Sequence, residues 1–185
     1  MSIPDCCIKI IRYTNYTNTS VNNFKRHQFA HDTYIALIAS KKNCFMRNNS
    51  YITDNYQIEN VNFSYSNKYC SFIYSKDKNV SIDIEYESVN ENKKNHYANQ
   101  KPYKNLPMDN KKEWVISESA AKYFKIGVSA ILKGVTLIFI GNKGRYEEWK
   151  VQLIDRKRGR AFYLETRVFY RFINHKLHVA FCKND

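Results

Sequence analysis

The segment Val80-Ser81-Ile82-Asp83-Ile84-Glu85-Tyr86 alternates apolar and polar side chains with a period of two residues. That period is typical of a β-strand, in which successive side chains point to opposite faces. Asp83 and Glu85 therefore share one face of the predicted strand, and Ile82 and Ile84 share the other. Two neighbouring carboxylates repel each other unless a cation lies between them. The segment predicts either a magnesium site, because Mg²⁺ prefers oxygen ligands, or an exposed strand with acidic outer positions.

The sequence on both sides of this strand predicts an α+β chain. Helices are predicted over residues 24–40 and 111–125, with the second ending near Gly127. Strands are predicted over residues 61–64, 69–74, 80–86, 135–140, 148–154, 161–168 and 177–182. The turn cluster at residues 76–79 predicts a hairpin between the second and third of these strands. Residues 13–23 and 41–60 predict loop or irregular structure.

The predicted helix over residues 111–125 carries three side chains of interest. Trp114, Glu118 and Lys122 are spaced four residues apart and so lie on one face of the helix. This pattern predicts either a functional face or a surface Glu–Lys pair beside a core tryptophan.

The composition excludes a disordered chain and predicts an anionic partner. Of 185 residues, 43% are hydrophobic and 15% aromatic, which is enough for a sizeable core. The net charge is +13, which suits nucleic acid, a phosphorylated cofactor, an acidic protein or a membrane surface. Residues 100–185 hold 18 Lys and Arg against 8 Asp and Glu, and residues 1–99 hold 12 against 9. The densest basic segment is Arg156-Lys157-Arg158-Gly159-Arg160.

The sequence shows no secretory signal and no apolar stretch long enough to span a bilayer. Its five cysteines include no Cys-x-x-Cys pair, which favours reduced thiols. We therefore expect a cytoplasmic protein without a membrane partner.

Three segments together resemble the larger, monomeric class of 4′-phosphopantetheinyl transferases. The family's Asn-x-Ser-His-Ser motif is matched by Asn62-Phe63-Ser64-Tyr65-Ser66, and its Gly-(Ile/Val)-Asp-Ile-Glu motif by the residues 81–85. Its Trp-x-x-Lys-Glu-(Ala/Ser)-x-x-Lys motif is matched by Trp114-Val115-Ile116-Ser117-Glu118-Ser119-Ala120-Ala121-Lys122. The order and spacing agree across residues 61–127.

The resemblance implies a fold of two similar α+β halves related by a pseudo-twofold, with the active site between them. We expect halves at residues 1–99 and 100–185, and a monomer. It implies transfer of the 4′-phosphopantetheine arm of coenzyme A to a serine of an acidic apo carrier protein, which releases adenosine 3′,5′-bisphosphate. The carrier can belong to fatty-acid, polyketide, nonribosomal-peptide or siderophore synthesis.

The resemblance also assigns roles to individual residues. Asp83, Glu85 and Glu118 are expected to bind Mg²⁺, with Glu118 also the catalytic base. Lys122 is expected to act in catalysis and to bind coenzyme A. The other residues expected to bind coenzyme A are Tyr65, Ser66, Lys25 and Arg26.

Three positions depart from the family pattern. Tyr65 replaces a histidine that helps hold the coenzyme A phosphates, and a tyrosine hydroxyl cannot become cationic near neutral pH. Ser81 replaces a glycine, and Ser117 replaces a lysine. These departures leave open a catalytically silent relative that binds coenzyme A or a carrier protein.

Two further alternatives come from the residues alone. The basic segment at 156–160 and the Phe169-Tyr170-Arg171-Phe172 run are typical of a basic nucleic-acid-binding protein, although the sequence has no RNP, KH or zinc-finger pattern. His27 and His31 have the His-x-x-x-His spacing of zinc proteases, but Gln28 replaces the glutamate that such sites need.

Overall fold

The computed structural model describes residues 7–13, 25, 27–30, 32–33, 44–47, 50–53, 58–75, 78–87, 111–127, 130–131, 134–157 and 160–183. The described chain combines helices with two five-stranded sheets, so the predicted α+β class is confirmed. It divides into unit 1, formed by Met1–Ile84 with Lys183–Asp185, and unit 2, formed by Glu85–Cys182. The predicted boundary between residues 99 and 100 lies outside the described residues.

Unit 1 contains an antiparallel sheet with the strand order β1-β5-β4-β3-β2. Its strands are β1 Cys7–Arg12, β2 Cys44–Arg47, β3 Ser50–Thr53, β4 Ile58–Ser66 and β5 Tyr69–Ser75. The prediction of irregular structure over residues 41–60 is therefore wrong. β3 pairs with β4 and β2 pairs with β3, so cross-strand pairing orders two short segments that carry no long alternating pattern.

The strand that carries the two carboxylates, β6 Val80–Tyr86, has the predicted bounds but a different neighbour from the predicted one. It belongs to the second sheet, whose order is β6-β10-β9-β8-β7. The predicted hairpin between β5 and β6 is wrong, because β1 and β4 already occupy both edges of β5. The hairpin is instead formed by β4 and β5, which turn at Asn67 with a φ of 50°.

The core of unit 1 includes Val61 and Phe72, against which Ile11, Phe63 and Tyr74 pack. Residues 25, 27–30 and 32–33 are helical, in agreement with the predicted helix over 24–40. Its other residues lie outside the described part of the chain.

Unit 2 contains the helix α1, Lys111–Tyr123, with the predicted start. Val115, Ile116 and Ala120 lie on its buried face, as expected of residues three to four positions apart. The helix ends before the predicted Gly127. Lys125 adopts a φ of 56°, and its N–H and that of Ile126 bond the carbonyls of Lys122 and Ala121. This pair of bonds is a Schellman cap, here formed without glycine.

The other strands of unit 2 are β7 Val135–Lys143, β8 Tyr146–Lys157, β9 Arg160–Ile173 and β10 Leu177–Lys183. Val151, Leu153, Val168 and Ala180 come from three of these strands and pack with α1 in one core. All four are longer than predicted, because cross-strand pairing continues past the alternating apolar residues.

The edge of this sheet exposes a run of apolar side chains. Ile138, Phe139 and Ile140 on β7 are between 43% and 50% exposed. The pairing of β7 with β8 shifts register between Phe139 and Gly141. Among the described helices, none is long and apolar enough to cross a membrane.

Candidate active site

Asp83 is buried in unit 1 and is bound by a side chain from β4. It is 4% exposed, and the Ser64 hydroxyl donates to its Oδ1 over 2.8 Å. Ile82 and Ile84 on the other face of β6 are 0% and 1% exposed. The alternative of an exposed strand with acidic outer positions is therefore excluded at Asp83. A carboxylate placed this deep requires compensating partners.

Two residues of the Asn-x-Ser motif bind the backbone of β6. The Ile82 N–H donates to Asn62 Oδ1 over 2.9 Å, and the Ile84 N–H donates to Ser64 Oγ over 3.1 Å. These amides point in one direction because they are two residues apart on a strand. Side chains, rather than a strand ladder, thus join the motif segment to the carboxylate strand. The bonded residues are 20 positions apart in sequence.

Glu118 and Lys122 lie one turn apart on α1. Lys122 Nζ is 3.5 Å from Glu118 Oε1, and both side chains are about one-quarter exposed. Trp114, on the same face, is partly buried against the core of unit 2. The tryptophan is therefore a packing residue, while the Glu–Lys pair remains accessible to a ligand.

The family's lysine position next to Glu118 is occupied by a serine that is fully buried. Ser117 is 0% exposed, and its hydroxyl donates to the Glu113 carbonyl over 2.7 Å. Ser81, which replaces the family's glycine, is also 0% exposed. Both departures are thus accommodated inside the protein rather than at a ligand-facing surface.

Tyr65 lies against a histidine from the helical segment of unit 1. The rings of His27 and Tyr65 are stacked, with centroids 3.9 Å apart and planes inclined by 14°. His27 is exposed and Ser66 is 8% exposed. Lys25 is exposed, and Arg26 lies outside the described residues. The imidazole beside Tyr65 could not be anticipated from the sequence, because 38 positions separate the two residues.

The predicted magnesium ligands are divided between the two units. Asp83 belongs to unit 1, and Glu85 and Glu118 belong to unit 2. Within the described ranges, no three His, Cys, Asp or Glu side chains form a group able to hold a metal ion. The three-carboxylate ligand set stays a prediction.

A polar network in unit 2 fixes the chain just after β6, and the sequence did not indicate it. His178 bonds the Tyr170 hydroxyl through Nδ1 over 2.9 Å and Glu87 Oε2 through Nε2 over 2.6 Å. Lys111 at the start of α1 lies 3.5 Å from Glu87 Oε1 and donates to the Tyr86 carbonyl over 3.0 Å. The end of β6 is thereby tied to the start of the helix that carries Glu118.

The electrostatics of this network favour a neutral imidazole. Burial lowers the pKa of His178 below its ordinary value, Glu87 opposes that change, and Lys111 and Lys112 add to it. Burial alone would raise the pKa of Glu87, but the hydrogen bond from His178 and the charge of Lys111 lower it. Burial, together with Glu147 and Glu87, raises the pKa of Tyr170. The network therefore holds Glu87 as a carboxylate and Tyr170 as a phenol.

The residues considered for nucleic-acid binding are partly inaccessible. Phe169 is 1% and Tyr170 is 4% exposed, so neither ring can stack on a base. The basic segment at 156–160 falls where β8 ends and β9 begins, and the side chains there lie outside the described residues.

No protein-family model matches the chain, and a search of curated proteins finds no match either.

The bridging role of Ser64 gives a first prediction. In Ser64→Ala, the Asp83 carboxylate loses a donor and the Ile84 N–H loses an acceptor inside the protein. We expect a loss of about 1–3 kcal/mol in the free energy of unfolding, measured by urea denaturation. Ser71→Ala is the matched control, because the Ser71 hydroxyl is also buried but makes only a 3.4 Å bond to the Ser64 carbonyl. Equal losses in the two variants would contradict the bridging role.

The lowered pKa of His178 gives a second prediction. Since the folded pKa of His178 lies below the unfolded value of 6.5, the folded state binds fewer protons than the unfolded state once the pH falls towards 6.5. The contribution of His178 to stability is complete above pH 6.5 and is lost as the pH falls through the folded pKa. We expect an NMR titration to give a pKa for His178 below its ordinary value of 6.5. A value at or above 6.5 would show that the imidazole is not desolvated.

Proposed function

We propose that the chain transfers the 4′-phosphopantetheine arm of coenzyme A to a serine of an acidic apo acyl or peptidyl carrier protein. The observation that carries this proposal is the bonding of Asn62 and Ser64 to the strand of Asp83. Two segments that resemble successive motifs of the 4′-phosphopantetheinyl transferases are direct neighbours in space. The finer fold, two similar halves with a pseudo-twofold, belongs to the same proposal.

The donor chemistry at the site fits a hard divalent cation such as Mg²⁺. Asp83 and Glu85 are carboxylates two residues apart on one strand, and Glu118 is the third carboxylate of the motif set. When bound, Mg²⁺ neutralises negative charge on the coenzyme A pyrophosphate.

In the proposed reaction, the hydroxyl oxygen of the carrier serine forms a bond to the β-phosphorus of coenzyme A. The pyrophosphate P–O bond breaks, and adenosine 3′,5′-bisphosphate leaves with the electron pair. Glu118 accepts the serine proton, directly or through a water molecule. Lys122, whose ammonium lies 3.5 Å from that carboxylate, stabilises the charge of the departing phosphate.

The net charge suits both reactants. Coenzyme A is anionic, carrier proteins of this kind are acidic, and the chain has a net charge of +13. Complementary charge raises the rate of encounter and makes it sensitive to salt. We place the protein in the cytoplasm, because that compartment holds both reactants. The proposed oligomeric state is a monomer.

The proposed reaction is tested by the intact mass of apo carrier proteins after incubation with the chain, coenzyme A and Mg²⁺. We expect the mass of one phosphopantetheine arm to be gained, and that gain to be lost with a chelator. Glu118→Gln should lower transfer by at least about 100-fold, the usual contribution of a general base. Glu165→Gln is the matched control, because Glu165 also pairs with a lysine of unit 2 but lies outside the motif.

The carboxylate strand is tested in the same assay with Asp83→Asn, which keeps the shape and can still accept from Ser64. Asp32→Asn, at an exposed position, is its control. Thermal unfolding of each variant separates loss of chemistry from loss of fold. Absence of transfer to fatty-acid, polyketide and nonribosomal-peptide carriers would overturn the proposal. If coenzyme A still bound, the chain would be a catalytically silent relative.

The stacked histidine supplies a separate expectation. The family motif places a histidine where this chain has Tyr65, and His27 lies on the Tyr65 ring. We expect His27 to contact the coenzyme A phosphates in its place. His27→Ala should raise KM for coenzyme A about five- to tenfold with little change in kcat. The reason is that a contact made equally in the ground state and the transition state contributes to binding but not to kcat.

The control for this variant is His175→Ala, at an exposed turn of unit 2, which should leave both constants unchanged. Introducing Tyr65→His into the His27→Ala background should restore part of the affinity. An unchanged KM in His27→Ala would exclude the phosphate contact.

A further inference from the structure

The helix α1 begins with two lysines, at positions where a helix does not favour cations. Lys111 and Lys112 are its first two residues, and Glu113 in the same turn offsets only one of the two charges. The N-terminus of a helix carries partial positive charge from its unpaired N–H groups, so an ammonium there is repelled. A departure of this kind from local preference needs compensating contacts elsewhere in the protein.

Lys112 finds its compensating contacts on the neighbouring sheet. Its Nζ lies 2.6 Å from Glu147 Oε2, 4.8 Å from the centre of the Trp149 ring and 5.1 Å from that of the Tyr170 ring. Both ring distances are within the range of cation–π attraction. The Trp149 indole N–H donates to the same Glu147 oxygen over 2.9 Å, which fixes the carboxylate. Lys112 therefore attaches α1 to β8 and β9.

Lys111 is attached instead to the chain that follows β6. Its Nζ lies 3.5 Å from Glu87 Oε1, and the other oxygen of Glu87 is bonded to His178. His178 is bonded in turn to the Tyr170 hydroxyl, and Lys112 contacts the ring of that tyrosine. Both lysines are close enough to His178 to lower its pKa. These five residues form a closed series of contacts, the α1 anchor, which starts and ends at the first turn of the helix.

The α1 anchor fixes the rotation of the helix about its axis. Successive helical residues are about 100° apart around the axis, so the two lysines point in different directions. A helix held in two directions cannot rotate without breaking one set of contacts. Glu118 and Lys122 are 7 and 11 residues beyond Lys111, which places both within about 20° of its direction. The direction of Lys111 therefore sets the direction of the Glu–Lys pair.

We propose that Lys111 and Lys112 are positioning residues, which act through the α1 anchor to aim Glu118 at its target. This inference rests on the proposed transfer reaction, in which Glu118 accepts the proton of the carrier serine. A general base acts only within hydrogen-bond reach of the proton that it takes, and a misplacement of about 1 Å can cost about 100-fold in rate. Rotation of α1 would therefore slow the chemical step.

The transfer assay tests this role with Lys111→Met and Lys112→Met, which keep the length of the side chain and remove its charge. Each should lower kcat at least about tenfold. The KM for coenzyme A should change by less than about threefold, because most residues expected to bind coenzyme A lie outside α1. The double variant should be at most about twofold worse than the slower single variant, since breaking either attachment frees the rotation.

Two further variants separate positioning from a general loss of charge. Lys112→Arg keeps a cation near Glu147 and the two rings, and should keep kcat within about twofold of the unaltered chain. Lys150→Met is the matched control, because Lys150 also pairs with a glutamate of unit 2, at 2.8 Å, but lies outside the α1 anchor. It should leave kcat unchanged. Unchanged kcat in Lys111→Met and Lys112→Met would overturn the proposal, as would equal losses in Lys150→Met.

Amide hydrogen exchange of α1, measured by NMR on the chain without reactants, tests the anchor independently of transfer. Exchange should be at least about threefold faster in Lys112→Met than in Lys150→Met, because the loosened helix opens more often. Equal exchange in the two variants would overturn the proposal. If the unaltered chain transferred nothing, the proposed function would fail, while the exchange rates would still decide whether the lysines hold α1.

Discussion

The Ser64 hydroxyl is the contact on which the arrangement of the candidate site depends. It donates one hydrogen bond to the buried Asp83 carboxylate and accepts another from the Ile84 N–H. A single small side chain thus satisfies both a charge and a backbone amide away from water, where either would be costly if left alone. Asn62 likewise accepts a hydrogen bond from the Ile82 N–H. Two side chains at alternate positions of β4 therefore fix the position of β6.

The polar network of unit 2 likewise fixes the chain at the other end of β6. Lys111 reaches both Glu87 and the Tyr86 carbonyl, so the first turn of α1 is anchored to the chain that leaves the strand. His178 and Tyr170 extend this anchor across two further strands. Glu118 lies two turns along the same helix, and its position along the helix axis is therefore set by contacts that do not involve it.

The sequence predicted local elements well where periodicity was strong. The bounds of β6 and the start of α1 agree with the prediction, because alternation and helical spacing are local properties. The strand pairing was predicted wrongly, since a turn cluster at 76–79 resembles a hairpin whether or not the strands beside it meet. The stacking of His27 on Tyr65 and the His178 network depend on contacts between distant segments, which no local pattern encodes. The resemblance located Ser64 within a motif, but its bond to Asp83 emerged only from the structure.

The register shift in β7 has a consequence for how the chain behaves at high concentration. An outer strand with Ile138, Phe139 and Ile140 turned towards water offers a template on which another molecule could add a strand. The irregularity between Phe139 and Gly141 interrupts the even spacing of hydrogen-bonding groups that such addition requires. A defect in pairing within one molecule thereby makes this exposed edge a poorer template for strand addition by a second molecule.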